Sequence, residues 1–196
     1  MQLSASASVA PLQPSWTPAA APAPLALTLA LERLRDYLHG FHSERAQPLP
    51  IEFWDIADDA LFMEALTHLP LFLADLFDQD ADALPEGFRL AFPIFWIDED
   101  SEFNGGRAYA NAGERLLPRA VEAYRRIGLH DEARGLHAAL QAYRHAPRKT
   151  FAIEAAYLAV PKQFADAPAK RVALKAFFRG HPELWSQAPA HGKVND

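Results

Sequence analysis

Cysteine is missing from all 196 residues, which excludes disulfides and thiolate metal sites and fits a reducing compartment. No Lys or Arg precedes Arg33, so the start of the chain lacks the positive charge that opens a secretory signal. Apolar runs fall short of the roughly 20 residues that cross a bilayer. A cytoplasmic location is expected. Alternating runs of β-branched residues are missing too, whereas apolar residues recur at helical spacing everywhere after residue 24. No Gly-rich phosphate loop, nucleophile elbow, kinase signature or HExxH pattern is present. Catalytic residues, a metal and a cofactor are therefore not assigned, and the chain reads as a non-enzyme.

What is present begins with proline. Five of the sixteen prolines lie among the first 24 residues, beside serines and alanines without periodicity, so residues 1–24 read as a disordered lead-in. Residues 25–196 are long enough for one domain. The expected fold is all-α, a single compact multi-helix bundle with a disordered N-terminal segment. Leu27, Leu31, Leu34 and Leu38 stripe a first helix stopped by Gly40. Helices are then predicted over 56–69 and 71–79, the second entered through Pro70. Further helices are expected over 86–102, 114–127, 130–145, 150–160 with Thr150 as cap, and 168–179. In the last, Val172, Leu174, Phe177 and Phe178 face the body, and Trp185 pins the tail.

Charge is the largest departure from an ordinary composition. Residues 52–102 hold 14 of the 25 acids and one base, Arg89, whereas residues 103–196 hold 15 bases and 8 acids. Acids here fit the solvated faces of amphipathic helices, but a window of one sign also invites a basic partner or a basic half of the same fold. Carboxylates three or four apart on a helix lie about 5–6 Å from each other. Duplex DNA spaces its phosphates by about 3.4 Å per strand, so such ridges approximate its charge rhythm. The candidate partner-binding residues are Asp55, Asp58, Asp59, Asp75, Asp78, Asp80, Asp82, Asp98, Asp100 and Glu102.

Three further patterns bear on ligand binding. The alternation Asp98, Asp100, Glu102, Asn104 resembles a calcium loop, but Phe103 stands where its turn glycine belongs and Tyr109 where its bidentate acid belongs. His130 and His137 can share a helix face without a third ligand. An aromatic pocket of Phe88, Phe92, Trp96 and Tyr109 would support a small-molecule enzyme if it held a buried His or acid pair.

The segments Glu102-Phe103-Asn104-Gly105-Gly106, Asn111-Ala112-Gly113 and Ala120–Gly128, the last closing on Ile127-Gly128, resemble the bacterial DNA-mimic protein nineteen family. That resemblance implies an all-α fold whose acidic surface imitates duplex DNA and occupies the basic groove of a DNA-binding transcription regulator. Asn104, Gly105, Gly106 and Asn111 are expected to be structural, since glycine reaches positive φ and asparagine bonds free backbone groups around a turn. The expected partner is a basic protein, without direct contact to nucleic acid or membrane, and a second copy of the chain is an allowed partner. The alternative is an immunity or antitoxin protein neutralising a basic toxin such as a nuclease.

Overall fold

A computed structural model describes residues 25–42, 49–164 and 166–186. The expected lead-in over residues 1–24 lies outside them. Seven α-helices follow one another: α1 (Leu25–Phe41), α2 (Asp59–Asp80), α3 (Glu86–Asn104), α4 (Arg107–Arg126), α5 (His130–His145), α6 (Thr150–Leu158) and α7 (Ala167–Gly180). Among the described residues there is no strand, and the all-α expectation holds.

Consecutive helices pack on one another from α1 to α6, most extensively α4 between α3 and α5. The leucine stripe of α1 is buried as its spacing requires. Most of α3 from Gly87 to Ile97 is buried, and its Phe92 stacks on Phe77 of α2 with centroids 4.0 Å apart. Phe88 and Phe92 are wholly inside, so they line no pocket. Trp185 does pin the tail: it packs on Phe53, Phe88 and Phe178, and a Cβ on Gly87 would stand 2.5 Å from its indole.

Three boundaries and one buried face differ from expectation. Helix α2 is continuous through Pro70, which is buried, because its apolar face is covered on both sides of the proline and burial outweighs one missing hydrogen bond. Helix α4 opens at Arg107 rather than 114, but Gly113 breaks it with φ 46° and ψ −149°, a conformation only glycine takes without strain. Thr150 is the first residue of α6 and caps nothing; the cap position is Lys149. Val172 points to solvent while Leu174 and Phe178 are buried.

The stretch Asp59–Ala83 is long and apolar enough by composition to cross a membrane, with a mean hydropathy of 1.4 over its best window. No run in the sequence had been expected to reach that length. In the fold it is a core helix, with Leu61, Phe62, Leu66, Leu69 and Leu73 all buried.

Candidate functional site

The acidic window divides into carboxylates that the fold itself neutralises and carboxylates that it does not. Asp98, late in α3, accepts from Lys170 of α7 at 2.7 Å, and both side chains are nearly covered, 14% and 12% exposed. Asp59 at the start of α2 accepts from Lys175 at 2.9 Å and meets Arg179 at 3.4 Å. Arg115 of α4 bonds Asp78, its Nε at 2.7 Å, and Arg171 bonds Glu102. Outside the ten expected residues, Glu86 is held by Arg126 at 2.7 Å. The expectation of free charge therefore fails for Asp59, Asp78, Asp98 and Glu102: the basic second half folds back over the acidic window and supplies their counter-ions.

Three more of the ten serve the backbone or a turn. Asp58 caps α2, accepting from the N–H groups of Ala60 and Leu61 at 2.9 and 3.0 Å. Asp80 accepts from the Ala83 N–H at 3.3 Å. Asp100 accepts from Asn104 at 2.5 Å and Asn111 at 2.9 Å, fastening the end of α3 to α4 across Gly105 and Gly106. Gly105 has φ 55°, and a Cβ on Gly106 would collide with the Glu154 carboxylate; the two asparagines donate to the Asp100 side chain rather than to backbone groups of the turn.

Asp55, Asp75, Asp80 and Asp82 are left without a strong cation. Among the described residues no Lys or Arg pairs with the first three, and Asp82, with an 88% exposed side chain, lies 4.0 Å from Arg89. Asp78, Asp80 and Asp82 crowd the carbonyl end of α2, whose last turn holds no base. A helix C-terminus carries negative potential, so acids there oppose the fold by a few tenths of a kcal/mol each, roughly 0.3–1. Asp82 lies just past α2, so it does not continue a helical stripe with Asp75 and Asp78.

A polar cleft of about 410 Å³ opens between α3, α5, α6 and α7. Within it Tyr157 donates to buried Glu132 at 2.6 Å and stacks on Tyr109, centroids 4.5 Å apart. Burial pushes the Tyr109 hydroxyl up to about 12, raises Tyr157 further, and holds enclosed Tyr124 well above the ordinary tyrosine range. For Lys170, burial alone favours the neutral amine; Asp98, Tyr157 and Glu132 reverse this and hold it protonated above the ordinary lysine range. Lys162 donates to the Tyr157 and Val160 carbonyls at 2.7 Å, closing the end of α6, and its own shift is downward through burial. Nearly every polar group in this cleft thus has a partner inside the fold, and its immediate role is to fix α6 and α7 to the body.

The second opening is a groove of about 550 Å³ between α1, α2 and α3, lined among others by Tyr37, His68, Leu71, Trp96, Glu99 and Phe103. Leu71 and Phe103 are 65% and 79% exposed. His68 Nδ1 and Glu99 Oε2 are shielded from solvent and have no hydrogen-bond partner. Of the four aromatics expected to line one pocket, only Trp96 is here; Tyr109 lines the polar cleft. The signal for this groove was the polar pair Thr67-His68 set inside the otherwise apolar run of α2.

The chain matches no family model, no curated protein and no solved structure. Among the described residues no group of three or more His, Asp and Glu is arranged around a metal position. The functional reading therefore rests on the residues themselves.

Proposed function

We propose that the protein is a non-enzymatic, cytoplasmic interaction protein that presents carboxylates to the basic groove of a nucleic-acid-binding protein such as a transcription regulator, in competition with DNA. The observation that carries this reading is the set of acids without strong counter-cations: Asp55, Asp75, Asp80 and Asp82, two of them crowding the carbonyl end of α2. Residues 103–196 hold 15 bases, yet these acids stay open while Asp59, Asp78, Asp98 and Glu102 are matched. Carboxylates kept where they oppose the helix dipole cost stability, which a basic partner returns on binding.

The test begins with capture at low salt and continues with the captured protein in purified form. A short duplex should displace the complex, and the Asp55→Asn, Asp75→Asn, Asp80→Asn, Asp82→Asn variant should bind the partner at least about fourfold more weakly, since each exposed pair contributes about 0.2–1 kcal/mol. A purified partner that duplex DNA does not displace removes the regulator reading. A captured nuclease held at its active face assigns the immunity role instead.

A further inference from the structure

The groove of α1, α2 and α3 has a composition that names its occupant. Its floor and walls are apolar or aromatic, from Tyr37, Leu71, Trp96 and Phe103, and its ionisable lining groups are His68, Glu99 and Asp100. Asp100 is already engaged by Asn104 and Asn111. Among the described residues no Lys or Arg lines the groove. Glu99 Oε2 and, on another helix, His68 Nδ1 are both covered from water and without a hydrogen-bond partner among the described residues. Buried polar atoms without partners are uncommon, and a covered carboxylate oxygen carries a desolvation cost that a donor would remove.

We propose that this groove receives an arginine side chain from a basic partner, its guanidinium on Glu99 and its stem along Leu71 and Phe103. The proposal rests on the reading of the protein as a receptor for a basic partner, and it gives that partner a point of attachment. Charge complementarity selects a cation. Among cations, a guanidinium is planar, weakly hydrated and carries five donors, so it can bond the Glu99 carboxylate while its face lies against Trp96 or Tyr37. A neutral His68 with its proton on Nε2 offers Nδ1 as a second acceptor. An ammonium, compact and strongly hydrated, uses these walls less well. The apolar residues that flank the arginine in the partner would cover Leu71 and Phe103, and Phe41, 67% exposed and edge-on to Tyr37 at 4.8 Å, extends the same apolar rim.

A capped leucine–arginine–leucine peptide tests this on the full-length protein, with the same peptide carrying citrulline as the neutral control of equal shape. In two-dimensional NMR at about 150 mM salt, where exposed charges are screened beyond roughly 8 Å, the arginine peptide should shift the Trp96 indole and His68 ring signals saturably. Citrulline, or Glu99→Gln, should weaken binding at least about tenfold, the equivalent of one charge-assisted hydrogen bond of roughly 1.5 kcal/mol. Glu122→Gln, on α4 and outside the groove lining, should leave it unchanged. Equal binding of the two peptides to the wild type, or no shift at millimolar arginine peptide, overturns the proposal. So does a groove closed by a second copy, seen as concentration-dependent dimerisation abolished by Phe103→Ser. Peptide binding that survives while no duplex-displaceable partner exists would leave the groove assignment standing and remove the regulator. A duplex-displaceable partner indifferent to Glu99→Gln would do the reverse.

Discussion

Replacing Lys170 by alanine should be among the most damaging single changes away from the aromatic core. The ammonium lies 2.7 Å from Asp98 with both side chains almost out of solvent, and Asp98 also faces the enclosed hydroxyl of Tyr124. Removing the lysine strands a carboxylate in that setting, and breaking one partner of a buried pair costs about 3–5 kcal/mol. Because both side chains keep an edge in solvent, the lower end, about 3 kcal/mol, is expected. At roughly 2–4 °C per kcal/mol for a chain of this size, Tm should fall by about 6–12 °C. The double variant Asp98→Asn, Lys170→Met removes both charges and should recover more than half of that loss, since a neutral pair of similar volume has no desolvated charge to strand. Urea unfolding of the wild type, both single variants and the double variant closes the cycle. A loss under about 1 kcal/mol for Lys170→Ala, or a double variant no better than the single, would refute the view that this pair is a buried counter-charge.

Three other outcomes follow from the same coordinates. Gly87→Ala should destabilise by at least about 1 kcal/mol, because its Cβ would meet the Trp185 indole at 2.5 Å and that indole is buried against Phe53, Phe88 and Phe178; an unchanged denaturation midpoint would contradict that packing. Stability should fall as pH rises above about 10: Tyr109, Tyr124 and Tyr157 keep their protons in the folded state to higher pH than in the unfolded chain, and Lys170 does likewise. The folded state then binds more protons than the unfolded one, so ΔG declines from about pH 10 upward, and a flat profile to pH 12 would be wrong for it. Asp75→Lys should raise stability by a few tenths of a kcal/mol, by relieving repulsion near the acid-rich end of α2, while weakening partner binding; a variant that loses stability would point to an unseen structural role for Asp75.

Helix identity was largely legible in the sequence because burial and periodicity agree. Leu27, Leu31, Leu34 and Leu38 mark α1, and the stop at Ile127-Gly128 marks the end of α4. Pro70 misled because local rules weigh its missing N–H and cannot weigh the apolar cover on either side of it. Asn104-Gly105-Gly106 and Asn111 were readable as a structural turn, though not the Asp100 carboxylate that both asparagines grip. The state of the ten acids was not readable at all. Lys170 reaches Asp98 across 72 positions and Lys175 reaches Asp59 across 116, so only the tertiary fold decides which carboxylates are met and which face solvent. The groove was hidden for the same reason, since Tyr37, His68 and Glu99 come from three helices.

The claim beneath the functional reading is that Asp55, Asp75, Asp80 and Asp82 supply charge that the fold leaves unspent. The slope of log affinity against log salt for the captured partner measures it most directly, compared between the wild type and the variant with those four aspartates changed to asparagine. A steep wild-type slope that flattens in the variant is the expected result. Equal slopes in the two proteins, or affinity indifferent to salt in both, would contradict it.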